Sequence, residues 1–296
     1  MSGRPHDRRG RGLAWITWRR FRRNRLALAG LFCLGLLYGA MALAPLLAPY
    51  EPHEQLDVVN NALQPPSWSH PLGTDPYARD ILSRLLHGAR ISLTIGLLAA
   101  AIAVVLGSLV GAAAGYGGRW LDGVLMRGVD MMMAFPRLVL LLVLLALLEH
   151  RNIFLVVTVL ALTGWMDVAR LVRAQVLSLR GREFVLAARA AGLSAPRVVI
   201  RHLLPSAAAP VLVSATLMVG HTILIEAGLS FLGLGVPPPV AAWGSMVEEG
   251  RSYLLSAPWV ATVPGLAIAT AVVSVNLVGE GLRDALAPGE RAPTDR

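Results

Sequence analysis

Six stretches of this chain are long and apolar enough to cross a lipid bilayer, and this excludes most of the folds open to a soluble protein. A spanning helix needs about 20 predominantly apolar residues. Only 15% of the 296 residues are charged, against about 25% in a typical soluble domain. We therefore predict an all-α membrane protein with six transmembrane helices, at residues 26–48, 91–115, 124–148, 152–172, 207–227 and 259–281.

The distribution of arginine between these stretches predicts the orientation of the chain. All 27 basic residues are arginines, and they concentrate in residues 1–25 and 173–206, whereas 49–90 and 228–258 also carry acidic residues. Cytoplasmic segments of membrane proteins are enriched in basic residues. We therefore expect a cytoplasmic tail at 1–25, an extracytoplasmic loop at 49–90 and a cytoplasmic loop at 173–206. After six spans the C-terminal tail, 284–296, also lies in the cytoplasm.

The first apolar stretch predicts a membrane anchor that stays attached to the chain. A cleavable signal peptide has an apolar region of about 7–15 residues, and the stretch at 26–48 is longer. The arginines before it lie on the side where an anchor keeps its N-terminus. We interpret this stretch as an uncleaved signal anchor and as the first transmembrane helix.

The net charge of +9 is explained by the membrane rather than by nucleic acid. The positive charge is concentrated in segments that flank apolar spans, where it meets lipid headgroups. We expect contact with membrane lipid and none with nucleic acid. The single cysteine, Cys33, excludes an internal disulfide and a multi-cysteine metal site, and we expect the chain to hold no cofactor or metal.

A polar, arginine-bearing segment, EFVLAARAAGLSAPRVVIRHLLP, separates the fourth span from the fifth. Good helix formers predict a helix over residues 175–191, and Gly192 can end it in a left-handed conformation. Ser194 is placed to cap a second helix and Pro196 fits its first turn. We expect Pro205 to stop that second helix. The pattern predicts two short helices with a glycine joint between them.

Several segments resemble the permease subunits of ABC importers of the dipeptide, oligopeptide and nickel class. The stretch HPLGTDPYARDILSRLLHGARISL resembles the signature of that branch before its second span, although Ala78 stands where the branch usually has glycine. Four further segments match, and the similarity covers roughly residues 15–288. They are MRGVDMMMAFP at 126–136, REFVLAARAAG at 182–192, EAGLSFLGLGVPPPVAAWGSMVEEGRSYLLSAPW at 226–259 and PGLAIATAVVSVNLVGEGLRDALAP at 264–288.

The cytoplasmic segment resembles the "EAA loop" of those permeases, which docks into a cleft of the ATP-hydrolysing subunit. Leu186 replaces the usual glutamate of that motif, and Glu183, one turn earlier, is a candidate substitute. The resemblance assigns seven residues to this coupling loop: Glu183, Leu186, Ala187, Ala188, Gly192, Leu203 and Pro205.

The resemblance implies a type I ABC importer permease fold, with a permease core at 91–283, in a bacterial plasma membrane. It implies a second, different permease subunit, two cytoplasmic ATP-binding subunits and an extracytoplasmic solute-binding protein as partners. Movement of the coupling loops then switches the permeases between inward-facing and outward-facing states. The chain has no GxxxxGK[ST] phosphate-binding loop, so we expect it not to be an enzyme and ATP hydrolysis to reside in separate subunits.

The substrate class that we expect is di- or oligopeptides, with nickel or a nickel chelate as the alternative. A secondary transporter is a further alternative, but the spans lack paired acidic residues deep in the bilayer. A membrane-embedded enzyme is another, but the chain has neither an HExxH motif nor a convincing serine nucleophile motif.

Ionisable residues within the spans are candidates for a transport pathway. His221 either lines that pathway or makes a hydrogen bond between helices. We expect Glu226 to lie near the outer surface, Asp167 and Arg170 to pair on one helix face, and Asp130 to be structural.

Overall fold

The computed structural model describes residues 13–148 and 152–286, and the regular secondary structure in this part of the chain is helical. A single antiparallel bridge, between Thr74 and Asp80, is the exception. The prediction of an all-α protein is confirmed. The helices are α1 (Leu13–Phe21), α2 (Arg25–Ala42), α3 (Ala44–Leu47), α4 (Val58–Asn61), α5 (Ile81–Tyr116), α6 (Arg119–Met133), α7 (Arg137–Ala146), α8 (Ile153–Leu179), α9 (Glu183–Ala190), α10 (Ala195–Val198), α11 (Leu204–Phe231), α12 (Trp243–Gly250) and α13 (Trp259–Leu286).

The spanning helices begin where short polar side chains satisfy the first free backbone N–H groups. The side-chain oxygen of Asn24 accepts from the N–H of Ala27 at 3.1 Å and starts α2. Asp80 accepts from the N–H of Ser83 at 2.8 Å and starts α5. Asn152 performs the same role for α8. The helices α2 and α8 start within a few residues of the predicted spans, whereas α5 begins ten residues earlier than the span at 91–115.

Five helices are each long and apolar enough to cross a membrane: α2, α5, α8, α11 with the helical turns before it, and α13. The third predicted span, 124–148, is not one straight helix. It corresponds to α6 and α7, whose axes differ by 79° across Ala134–Pro136. A proline disfavours helical backbone at the residue before it, and Pro136 here becomes the cap of α7. The six-span prediction is confirmed if this bent pair counts as one span.

The contact between α5 and α8 is the most extensive helix pair, and it depends on small residues of α5. A Cβ atom at Gly107 would lie 2.5 Å from the carbonyl oxygen of Trp165, and Gly111 lies against the carbonyl of Ala169 in the same way. Gly115 lies against Val176. Close backbone approach of this kind is the use of small-residue spacing in membrane helices. The sequence shows the GxxxG spacing, and the structure identifies α8 as the neighbour.

The predicted loops and tails contain more helix than expected. Within the tail predicted at 1–25, α1 packs on α13. Residues 81–90 of the loop predicted at 49–90 form the first turns of α5, and α13 extends into the tail predicted at 284–296. Most of that tail, the first twelve residues and the turn at 149–151 lie outside the described residues.

Candidate functional site: the coupling segment and the polar face

The coupling segment, residues 180–203, presents one buried face and one exposed face. Val185 and Ala188 of α9 are buried in a cluster with Val172 and Val176 of α8. Phe184 and Leu186, on the other side of α9, are 43% and 50% exposed. The apolar contact fixes the position of α9 on the end of α8. The exposed side, which includes half of the Leu186 side-chain surface, is left available to a partner.

The joint after α9 has the hydrogen bonds of a Schellman motif. Gly192 has φ +77°, as the sequence predicts. Its N–H donates to the carbonyl of Arg189 at 3.0 Å, and the N–H of Leu193 donates to the carbonyl of Ala188 at 3.2 Å. These two bonds satisfy carbonyls at the end of α9. The chain turns here in a conformation that favours glycine.

Two details of the predicted segment are wrong. The helix predicted over 175–191 is interrupted, because α8 ends at Leu179 and α9 starts at Glu183, with Gly181 between them. Pro205 does not stop a helix. Residues Val199–Leu203 form a π-helical turn, in which the N–H of Leu204 donates to the carbonyl of Val199, and α11 follows directly with Pro205 in its first turn. A proline is tolerated there because the wider turn moves the carbonyl that its ring would otherwise meet.

The structure places all seven predicted coupling residues in this segment or at the start of α11. Glu183, Leu186, Ala187, Gly192 and Pro205 are exposed, whereas Ala188 and Leu203 are buried. A cleft of about 650 Å³ opens beside the first turn of α9 and is lined by Leu179, Gly181, Arg182, Glu183 and Phe184. Of the motif members, Glu183 lines this cleft, and the buried Ala188 and Leu203 belong to the cluster that holds the segment on the bundle.

A second group of residues forms a polar face at the middle depth of the bundle. His221 of α11 is exposed in the isolated subunit, as is Asp167 of α8. Arg137, the first residue of α7, lies between them: its Nη1 is 3.4 Å from Nδ1 of His221, and its Nη2 donates to the carbonyl of Leu160 at 3.4 Å. Charged groups at this depth face a partner or a water-filled cavity rather than lipid.

Arg137 was not among the residues that the sequence pointed to. Its position immediately after Pro136 could have identified it in the sequence. The break of the third span at this proline turns the side chain of Arg137 toward α8 and α11. Gly164 of α8 provides the room, since a Cβ atom there would lie 2.9 Å from Nη2 of Arg137.

The ion pairs near this face differ from the prediction. Arg170 does not pair with Asp167 on its own helix. Its Nη2 donates to Oδ1 of Asp130 on α6 at 2.5 Å, so Asp130 has the structural role that we expected. Arg173 binds Asp122 of α6 in the same manner. Helical spacing allows a pair within α8, but the bend of the third span brings the carboxylates of α6 closer.

Glu226 lies five residues before the end of α11 at Phe231, and its side chain is completely buried within the bundle. Its Oε1 accepts a hydrogen bond from Oγ of Ser230 at 2.8 Å, whereas Oε2 is buried without a hydrogen-bond partner among the described residues. The side chain is one of the largest fully buried groups of the subunit. The packing of α11 against α5 and α12 encloses it.

A buried ion cluster, formed by Asp75, Arg79, Arg84 and Glu249, joins the two predicted outer loops. Nε of Arg79 donates to Asp75 at 2.6 Å, and its Nη2 donates to Glu249 at 2.7 Å. Arg84 donates to both carboxylates as well. Sequence reasoning did not identify this cluster, because Glu249 lies more than 160 residues along the chain from the other three members.

Known transport proteins resemble this chain along most of its length. Residues 103–292 match the family described as "Binding-protein-dependent transport system inner membrane component", and residues 12–66 match the "N-terminal TM domain of oligopeptide transport permease C". A relative from Brucella suis biovar 1 that carries a peptide permease name is 43% identical over 272 residues, which are 91% of this chain and 89% of the relative. The dipeptide transport system permease protein DppC of Alkalihalophilus pseudofirmus is 39% identical over 274 residues, 92% of this chain and 88% of the relative.

Proposed function

We propose that this chain moves di- and oligopeptides into the cytoplasm. The chain belongs to the inner membrane components of binding-protein-dependent transport systems, within the C-type permeases of the dipeptide and oligopeptide ABC transporters, and the proposal follows from this membership. Transport is driven by ATP that separate subunits hydrolyse, and it proceeds by alternating access. The pathway lies between this subunit and a second, different permease. An extracytoplasmic solute-binding protein delivers the peptide.

The observation that carries this proposal is the two-faced coupling segment. Val185 and Ala188 attach α9 to the end of α8, so a force applied to the exposed side of α9 reaches a spanning helix directly. The Schellman joint at Gly192 then leads through the π-helical turn into α11 without a flexible break. One docked ATPase subunit thereby acts on two spanning helices at once.

The same arrangement supports the proposed orientation. A segment that docks a cytoplasmic ATPase lies in the cytoplasm, which agrees with the arginines of residues 173–206. Both termini then lie in the cytoplasm, and the ion cluster of Asp75, Arg79, Arg84 and Glu249 lies on the extracytoplasmic side, where the binding protein docks. The membrane is the bacterial inner membrane.

The surroundings of His221 favour peptide over bare nickel. An arginine can only donate, so Nδ1 of His221 accepts from Arg137 and the ring proton is on Nε2. That imidazole has no lone pair free for a metal, and a guanidinium 3.4 Å away repels a divalent cation. In the described part of the chain, no group of three or more His, Cys, Asp or Glu side chains is placed to hold a metal ion.

Site-directed cross-linking tests the docking of α9. Cys33 is the only cysteine, so a Cys33→Ala background leaves one reactive thiol at each introduced position. We expect Leu186→Cys to form a cross-link to an ATPase subunit in inside-out vesicles. The control is Leu255→Cys, which is fully exposed but lies on the opposite side of the membrane. A cross-link from position 255, with none from 186, contradicts the proposed docking and orientation together.

Competitive uptake tests the substrate. Cells that express the complete transporter are given a labelled dipeptide and labelled Ni²⁺, together and separately. We expect uptake of the dipeptide that excess unlabelled dipeptide abolishes and Ni²⁺ does not. Uptake of Ni²⁺ alone contradicts the peptide proposal.

A further inference from the structure

We propose that Arg137 and His221 form a weak binding site for the C-terminal carboxylate of the peptide as it passes through the membrane. The inference rests on the proposed function and adds the part of the substrate that the subunit recognises. The two residues come from α7 and α11, and their side chains meet on the face that carries Asp167.

The site lies at the middle of the membrane. Gly164, which contacts the guanidinium of Arg137, is 11 residues from the start of α8 at Ile153, or about 16 Å at the rise of an α-helix. His221 is ten residues from the end of α11 at Phe231, or about 15 Å. The hydrocarbon core is about 30 Å thick. If the start of α8 and the end of α11 mark the membrane boundary, both helices place the pair near its midplane, the depth at which secondary transporters bind their substrates.

Within residues 13–148 and 152–286, neither hydrogen-bond partner of Arg137 carries a negative charge. Its two hydrogen bonds, to a neutral imidazole and a carbonyl, are both 3.4 Å long, and its Nε is buried without a hydrogen-bond partner among the described residues. Asp167 acts on it electrostatically without forming a direct ion pair in that part of the chain. The neighbouring cations are different, because Arg170 and Arg173 each bind a carboxylate of α6.

A carboxylate is the ligand that satisfies this pair. The guanidinium has donors in the planar arrangement that matches a carboxylate, and His221 helps to position it by accepting one hydrogen bond at Nδ1. Every unmodified peptide carries one carboxylate at its C-terminus whatever its side chains are, so this contact suits a transporter of varied peptides. Water in the pathway keeps the interaction weak, and a weak site does not trap the substrate.

Acid and amide forms of one dipeptide test the inference. The intact complex with its binding protein is reconstituted in liposomes, and ATP-driven uptake of labelled alanyl-alanine and of its C-terminal amide is measured at concentrations that saturate the binding protein. We expect Arg137→Gln to lower the acid-to-amide ratio of uptake rates about tenfold, the loss of one charge-assisted contact. Arg137→Lys keeps the charge and retains most of the ratio.

Two further variants separate recognition from structure. Arg170→Gln removes a cation that is already paired on the same face, and we expect the ratio to stay unchanged even if both rates fall. His221→Glu places a carboxylate beside Arg137, and this carboxylate occupies the guanidinium in place of the peptide. The acid-to-amide ratio should therefore fall although Arg137 is still present. This variant tests the inference if Arg137→Gln does not assemble into the complex. An acid-to-amide ratio that is unchanged in both Arg137→Gln and His221→Glu overturns the inference. The transporter then takes up the peptide without any contact between its carboxylate and Arg137. Absence of peptide uptake by the wild type overturns the proposed function itself.

Discussion

The guanidinium of Arg84 binds the carboxylate of Glu249 through two hydrogen bonds, Nη1 to Oε2 at 2.5 Å and Nη2 to Oε1 at 3.1 Å. The side chain of Arg84 is 3% exposed and that of Glu249 is 16% exposed. This contact ties α12 to the start of α5 and thereby fixes the loops that precede both helices.

We expect Glu249→Gln to destabilise the subunit by about 3 kcal/mol, because Arg79 and Arg84 then share the one carboxylate of Asp75 in a buried position. The matched control is Glu248→Gln. The side chain of Glu248 is 37% exposed and lies 3.9 Å from the more exposed Arg251, so loss of this pair should cost under about 1 kcal/mol. Thermal unfolding of the purified complex in detergent measures both. Equal effects of the two substitutions contradict the role of the cluster.

The backbone conformation of Ala78 gives a physical reason to expect glycine at this position. Ala78 has φ +57° and is fully buried, at the position where the resemblance to peptide permeases leads us to expect glycine. The left-handed conformation costs an L-residue about 1 kcal/mol or more. We expect Ala78→Gly to stabilise the subunit by about 0.5 kcal/mol, since loss of the buried methyl group offsets part of the gain. A lower unfolding temperature than that of the wild type contradicts this account.

The sequence predicted the features that depend on local composition and could not predict those that depend on packing. Five spans and the left-handed Gly192 follow from apolar length and from helix capping, which are properties of adjacent residues. The bend after Met133 and the pairing of Arg170 with Asp130 rather than Asp167 depend on where α6 lies against α8. Arg137 was missed for the same reason, because its contacts come from helices that are distant in the chain.

The close approach of α5 and α8 predicts a sharp difference between two glycines. A methyl group at Gly111 meets the carbonyl of Ala169, whereas nothing lies within 4 Å of one at Gly128 of α6. We expect Gly111→Ala to destabilise the subunit by about 1–3 kcal/mol, the usual cost of overpacking. Gly128→Ala should be neutral or stabilise the helix by up to about 1 kcal/mol. Yield of assembled complex and its thermal unfolding report both effects, and similar behaviour of the two variants contradicts the packing argument.

Reporter fusions test the orientation of the chain. We expect fusions after residues 60 and 240 to be extracytoplasmic, and fusions after 118 and 190 to be cytoplasmic, because the arginine-rich segment 173–206 holds its side of the membrane. An enzyme reporter that is active only outside the cytoplasm, paired with one active only inside, measures each position. A cytoplasmic result at 240 contradicts the number of spans, since that loop lies opposite 173–206.

The joint at Gly192 offers the most direct test of coupling. Nothing lies within 4 Å of a Cβ atom placed there, so the φ of +77° is the only obstacle to a side chain. A β-branched residue tolerates that conformation poorly, and Gly192→Val should therefore break the two bonds of the Schellman motif and misplace α9 without disturbing the membrane core.

We expect the complex to assemble while peptide uptake falls by at least about tenfold, equivalent to about 1.4 kcal/mol of lost coupling. Gly123→Ala is the control, because that glycine of α6 also has free space around it but no positive φ. Uptake and ATP hydrolysis, both measured in the same vesicles, separate a loss of coupling from a loss of assembly. Wild-type uptake by Gly192→Val shows that the joint does not transmit the movement of α9.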